Sequence, residues 1–220
     1  IKKDLESKGV KYIYSHWIDF LGSPKTKPMP ISDFEDLCAG KGPQFAVHSV
    51  SFVPELGPAD NDQIPVPDLD SLLICPWDKT CAWVFSDLWW NGKPYDVCPR
   101  QTLKKQIKKN AEADLKFYVG MEPEFFVMKW EDGKPVKAID RDPIPLRRQA
   151  FGYDSEYSIE GMDFLKEIID ILNEDLKWDL HDVVAEGAYG QYELDFGYTD
   201  MLGMADRFIF LRCLVKEIAK

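Results

Sequence analysis

Four glutamates are the residues of this chain whose type and spacing could do chemistry, and two of them flank a proline. Glu122 and Glu124 stand on either side of Pro123 within an apolar run. Strand side chains alternate between two faces, so a strand here would point both carboxylates the same way. Because proline has no N–H to give to a neighbouring strand, the segment is predicted to be a sheet edge or an interrupted strand.

The other two glutamates stand in a segment that predicts a β-hairpin. If Tyr189 and Gly190 form a two-residue loop, Glu186 pairs directly with Glu193. Directly paired residues have Cβ atoms about 4.5–5.5 Å apart. Two carboxylates at that distance repel each other unless a cation lies between them or one of them is protonated. Ligands that are all oxygen favour Mg²⁺ or Mn²⁺ over zinc.

Other interpretations of these carboxylates stay open at this level. Glutamates two residues apart on a strand commonly form a solvated outer face. The same side chains could also serve a hydrolase as general acid and base. Spacing alone does not separate these alternatives from a metal site.

The composition argues against some classes of function. Lys and Arg total 27 against 38 Asp and Glu, which gives a formal charge of −11. Nucleic acids and anionic membranes need clustered positive charge, so we expect neither as a partner. No apolar run is long enough to span a bilayer and no apolar signal segment follows the N-terminus, so we expect a cytoplasmic protein. The five cysteines show no CxxC spacing and are interpreted as reduced and structural.

Periodicity and turn residues predict the elements that position the glutamates. Residues 11–18 are rich in β-branched and aromatic side chains, and further strands are expected at 71–75 and 82–86. Pro99 suits the first position of a helix over 99–113. Apolar residues at helical spacing predict two more helices, over 160–175 and 200–219. Later strands are predicted at 115–130, 179–188 and 191–198.

Four short motifs occur in order along the chain. They are Asp19–Lys25 (D-x-x-G-x-x-K), Asn91–Arg100 (a G-x-P followed by P-R), Gly120–Phe126 (G-M-E-P-E-F-F) and Glu186–Phe196, which ends G-Q-Y-E-L-D-F. The last two are specific when they occur together. In this order and spacing, the sequence resembles the glutamine synthetase family along essentially its whole length.

The resemblance implies an α+β fold with two domains. Residues 1–97 would form an N-terminal β-grasp domain. Residues 98–220 would form the first part of a glutamine-synthetase-type catalytic domain, with a curved antiparallel sheet and helices. The family likeness also implies a homo-oligomeric ring whose active sites lie between subunits.

The same resemblance implies a two-step ligase reaction that uses ATP and Mg²⁺ or Mn²⁺. ATP phosphorylates the γ-carboxylate of glutamate, and ammonia then displaces the phosphate. By motif position, Glu124, Glu186 and Glu193 would hold the metal near glutamate, and Glu122 would belong to the metal near the nucleotide phosphates. Tyr153 would help hold the ammonium ion, and Glu186 would serve that site too.

Two departures from the family pattern bear on function. Ala46 stands where the family has an aspartate that binds ammonium, which favours as an alternative a γ-glutamyl-amine ligase for alkylamines or polyamines. His48, two residues later, could substitute in part. The family's nucleotide-loop motif and its substrate-clamping arginines have no match here, so residues 1–220 alone are predicted to be inactive. A non-catalytic structural homologue is the remaining alternative.

Overall fold

The computed structural model describes residues 1–49, 56–138, 152–188 and 190–220. Helices and mainly antiparallel sheets form two compact units, which confirms the predicted α+β class. The first unit contains residues 1–117 and 201–206, and the second contains 118–200 and 207–220. Among the described residues, no helix combines the length and the apolar character needed to cross a membrane.

The first unit is built on a mixed sheet whose central strand is β5. Its strands are β1 (Tyr12–Ile18), β2 (Pro24–Pro30), β3 (Ile64–Pro67), β4 (Leu73–Ile74), β5 (Cys81–Trp90) and β6 (Lys93–Pro94). β5 pairs in parallel with β1 and antiparallel with β3, β4 and β6, while β2 pairs antiparallel with β1. The predicted strands at 11–18, 71–75 and 82–86 therefore exist, with shifted ends.

Two short helices cover one face of this sheet. They are α1 (Lys2–Ser7) and α2 (Phe34–Cys38). Leu5 of α1 and Leu37 of α2 join Ile13 and Val84 of the sheet in one buried apolar cluster. Burial of this apolar surface is the main force that holds helices to the sheet. The arrangement agrees with the predicted β-grasp domain.

Helix α3 (Pro99–Glu112) begins with proline at its first position, as predicted. Arg100, which is 5% exposed, donates two hydrogen bonds to Asp206 (2.9 and 2.6 Å) and one to Asp87 (2.7 Å). Lys104, one turn later, bonds Asp87 and Asp68 at 2.5 and 2.8 Å. These bonds tie α3 to the first compact unit, which runs past the expected boundary near residue 97. That boundary stays a prediction.

The second unit contains short strands and two long helices. Its elements are β7 (Tyr118–Val119), β8 (Glu124–Phe126), β9 (Met128–Glu131), β10 (Lys134–Lys137), α4 (Ser155–Asp170), β11 (Leu180–Ala185), β12 (Gln191–Phe196) and β13 (Thr199–Asp200). A π-helical turn, Ile171–Asp175, extends α4. Helix α5 (Met201–Ile218) begins in the first unit and continues in the second.

The prediction of a single strand over 115–130 is wrong. The segment forms three strands, and each has a different partner: β7 pairs with β13, β8 with β12, and β9 with β10. β8 starts directly after Pro123, whose missing N–H interrupts the ladder. β8 is also the edge of its sheet, which has the order β11-β12-β8.

The central strand of that sheet, β12, has one apolar and one polar face. Tyr192, Leu194 and Phe196 are buried. The Tyr192 hydroxyl donates to the Tyr157 carbonyl of α4 at 3.1 Å, which fixes this face against the helix. Because strand side chains alternate, the residues that alternate with these three lie on the opposite face. They are Gln191, Glu193 and Asp195.

Candidate metal centre

The polar face of β12 gathers glutamates from three strands. Glu193 lies directly opposite Glu124 of β8 on one side and opposite Val184 of β11 on the other. Glu186 stands two residues after Val184 and so shares its face. One carboxylate oxygen from each of Glu124, Glu186 and Glu193 lies within 4.8 Å of the other two.

The hairpin register differs from the predicted one. Glu193 pairs with Val184, and the backbone N–H of Glu186 donates to the carbonyl of Gln191 at 3.0 Å, so the predicted direct pair of Glu186 with Glu193 is wrong. The shift is two residues. Since side chains repeat every two residues along a strand, a shift of two keeps both glutamates on one face. Tyr189 of the predicted loop lies outside the described residues.

Within the cluster, Glu193 has a strongly shifted pKa. Its loss of hydration and the negative charges around it raise its pKa from 4.5 to about 7. The carboxylates that contribute, in decreasing order, are Asp195, Glu186, Glu124 and Glu122. A carboxylate whose proton is retained near neutral pH by its neighbours is a place where a cation can replace the proton.

The donor set fits a hard divalent cation. Mg²⁺ and Mn²⁺ take oxygen ligands, and oxygens held at about 2.1 Å from one ion lie about 3–4 Å from each other. The three carboxylate oxygens lie within 4.8 Å of one another, which is close to that spacing. The group contains neither His nor Cys, the ligands that structural zinc prefers. Metal ligation by these residues stays a prediction.

The remaining two predicted site residues lie near this cluster. Glu122 is exposed in the stretch between β7 and β8; it is not one of the three close carboxylates, although its charge contributes to the raised pKa of Glu193. Tyr153 is 82% exposed and has a φ of 65°. Its backbone N–H donates to the Ala185 carbonyl at 2.8 Å, next to Glu186 in the chain. The roles assigned to both residues stay predictions.

Sequence reasoning missed two residues on the same face. The side-chain amide of Gln191 donates to Glu124 Oε2. Asp195 makes the largest charge contribution to the raised pKa of Glu193. Both stand two residues from Glu193, so strand alternation alone would have placed them beside it.

Comparisons with known proteins identify relatives of this chain. The family model for the glutamine synthetase catalytic domain matches residues 96–220. The glutamine synthetase of Rhizobium meliloti (strain 1021) is 32% identical, over 97% of this chain and 47% of its own length. The glutamate–methylamine ligase of Methyloversatilis universalis is 30% identical, over 98% of this chain and 47% of its own length. The solved structure of a GmaS/ADP complex is similar with a TM-score of 0.89 and 28% identity, covering 99% of this chain and 48% of that one.

The sheet that gathers the three carboxylates lies within the residues that the catalytic-domain model matches. The catalytic-domain match covers more than half of the residues, and the chain belongs to the glutamine synthetase family. It spans about half the length of the curated relatives it matches.

Proposed function

We propose that the protein, at the full length of its relatives, ligates ammonia to the γ-carboxylate of glutamate through γ-glutamyl phosphate, at the expense of ATP. The observation that carries this proposal is the approach of Glu124, Glu186 and Glu193 within 4.8 Å on one sheet face. Transfer of phosphate to a carboxylate brings anions together. A divalent cation held by these residues would supply the positive charge that lowers this repulsion.

Each residue of the cluster has a separate role in the proposal. Glu124, Glu186 and Glu193 would hold Mg²⁺ or Mn²⁺ near glutamate. Glu122, which lies outside that close group, would serve a second cation near the ATP phosphates. Glu186 and Tyr153 would hold the ammonium ion, and the hydrogen bond from Tyr153 to Ala185 keeps the two residues near each other.

The proposal extends to assembly and location. We propose a homo-oligomeric ring with active sites between subunits, in the cytoplasm. Glutamate, ammonia or a small amine, and ATP are the proposed substrates. Residues 1–220 alone are expected to be inactive.

A second candidate is ligation of a small alkylamine in place of ammonia. Ala46 supports it, since this position holds an ammonium-binding aspartate in the family pattern. Ala46 is half-buried and its carbonyl accepts from Ser49, so it starts the tight turn that carries the exposed His48. The likeness to a glutamate–methylamine ligase points the same way.

The test is a competition among amines with the full-length protein. Phosphate release that depends on ATP, Mg²⁺ and glutamate is measured with ammonia, methylamine, ethanolamine and putrescine. A highest kcat/KM with ammonia supports the first candidate. A tenfold preference for an alkylamine, which is about 1.4 kcal/mol, supports the second. No release with any amine from a folded protein would contradict both and favour a non-catalytic homologue.

A matched pair of variants sharpens the comparison. If the alanine sets the amine preference, Ala46→Asp raises kcat/KM for ammonia relative to methylamine. Ala39→Asp introduces the same charge at an exposed alanine of the same unit and is expected to leave the ratio unchanged.

A further inference from the structure

Gln191, on the polar face of β12, contacts a candidate ligand and is not itself a member of the carboxylate cluster. Its side-chain amide donates to Oε2 of Glu124 across the β12–β8 pair. Gln191 pairs with Phe126 in the backbone ladder, and Glu193 pairs with Glu124, so the amide reaches Glu124 diagonally. A carboxylate accepts hydrogen bonds and cannot donate them when ionised, so the amide must present its NH₂ group to it.

Two of the candidate ligands, Glu186 and Glu124, differ in the hydrogen bonds that support them. Glu186 accepts a hydrogen bond from the backbone N–H of Gly187 at 3.2 Å, so its support is local. Glu124 is exposed on the edge strand β8. Within the described residues, the hydrogen bond from Gln191 is the one that its carboxylate receives. Without it, no hydrogen bond from the described part of the chain would hold this carboxylate in place.

A neutral amide at position 191 can orient Glu124 without competing with the cation for its charge. A lysine or arginine at position 191 would neutralise Glu124 and oppose cation binding. A neutral amide holds Oε2 and leaves the negative charge, and the second oxygen, available. Metal ligands in proteins are commonly oriented by such hydrogen bonds from neighbouring groups, and losing one typically lowers metal affinity 10–100-fold.

We propose that Gln191 is a positioning residue that holds Glu124 ready to bind the divalent cation. This inference rests on the proposed metal centre and adds a residue to it. It assigns Gln191 no contact with the metal. The effect of Gln191 on metal affinity should therefore depend on the presence of the Glu124 carboxylate.

The test is a double-mutant cycle on Mn²⁺ affinity, measured by electron paramagnetic resonance of free Mn²⁺ with the 220-residue chain. Gln191→Met keeps the side-chain length and removes the donor. We expect it to weaken Mn²⁺ binding about tenfold. In a Glu124→Gln background, Gln191→Met is expected to have no further effect, because the ligand that it positions is already lost. Gln106→Met, at an exposed glutamine of α3, serves as the matched control and is expected to bind like wild type.

The outcomes separate the inference from the proposed function. Equal Mn²⁺ affinity of wild type and Gln191→Met would overturn the role of Gln191 and leave the metal centre standing. An equal loss in both backgrounds would show a general structural effect and would overturn it too. If the wild-type chain binds no Mn²⁺ while its melting curve shows that it is folded, the metal centre and this inference both fall.

Discussion

Glu193 of β12 lies directly opposite Glu124 of β8, so one cross-strand pair of the sheet contains two carboxylates. Like charges directly opposite each other destabilise a strand pair. The sheet continues across this pair because its other face buries Tyr192 and Leu194. The metal-free protein therefore carries a repulsion that protonation, a neutral substitution or a bound cation would relieve.

Glu193→Gln is expected to stabilise the metal-free protein at pH 8. The amide has the same shape and no charge. The gain in Tm should be about 1–3 °C, since a cross-strand charge pair contributes up to ~1 kcal/mol and ~1 kcal/mol shifts Tm by about 2–4 °C at this chain length. Thermal melts in EDTA measure it. Glu174→Gln, at an exposed position of the same unit, is the control.

The pH dependence of that gain follows from the raised pKa of Glu193. Its folded value of about 7 exceeds its ordinary 4.5, so between these values the folded protein binds a proton that the unfolded chain releases. The contribution of Glu193 to the stability of the wild-type protein therefore falls as pH rises from 4.5 through 7. The advantage of Glu193→Gln should be small at pH 5 and full at pH 8, and an advantage independent of pH would contradict this account. Mn²⁺ should raise the Tm of wild type more than that of the variant.

Arg100→Met is expected to lower the free energy of unfolding by about 3–5 kcal/mol, because removal of one partner leaves buried charges uncompensated. Arg100 is 5% exposed and bonds three aspartates. Urea denaturation followed by circular dichroism measures the loss. Lys105→Met breaks an exposed pair with Asp96 and should cost no more than about 1 kcal/mol. Similar losses for the two variants would show that the buried network contributes little.

Gly161→Ala is expected to destabilise the protein by about 1–3 kcal/mol, the usual cost of overpacking a filled site. Helix α4 packs so closely on β12 that a Cβ at Gly161 would lie 2.5 Å from the ring of Tyr192. Alanine's higher helix propensity, worth up to ~1 kcal/mol, offsets only part of this. Gly57→Ala is the control, since a Cβ there meets no atom within 4 Å. A stabilised Gly161→Ala protein would mean that the helix moves away at little cost.

His16→Phe is expected to make the protein less sensitive to acid. Burial lowers the pKa of His16 to about 3, and its ring stacks on Trp83 with centroids 3.3 Å apart. Between pH 6.5 and about 3, the unfolded chain binds a proton that the folded protein excludes, so stability falls as pH falls through this window. Phenylalanine keeps a ring to stack and cannot be protonated.

The stability of His16→Phe should therefore decline less steeply between pH 6 and 4, by up to about 1.4 kcal/mol per pH unit. Chemical denaturation at several pH values gives the slopes. His48→Phe changes an exposed histidine of the same unit and should follow wild type. Parallel slopes for wild type and His16→Phe would contradict a neutral buried imidazole.

Much of the local structure could be predicted from the sequence. Pro99 marks the start of α3, and the apolar periodicity locates the helices of the second half within a few residues. The predicted hairpin, although its register is two residues off, placed Glu186 and Glu193 on one face. Each of these properties depends on residues close together in the chain, where φ/ψ preferences and the two side-chain periods act directly.

Other features could not be predicted because they depend on partners distant in sequence. The hairpin register is two residues from the predicted one. The segment 115–130 divides into three strands because three different partners, β13, β12 and β10, pair with successive stretches of it. Arg100 meets Asp206, 106 residues later in the chain, and no local pattern signals that pair.

The sequence by itself determined the family motifs, the α+β class and the four glutamates that could bind a cation. Only the tertiary structure decided that Glu193 lies directly opposite Glu124 and that the Gln191 side chain reaches Glu124. The physical reason is that a sheet's register is chosen by what its other face can bury. Here the buried face packs Tyr192 against Gly161 of α4. This packing places Glu193 on the opposite face of the sheet.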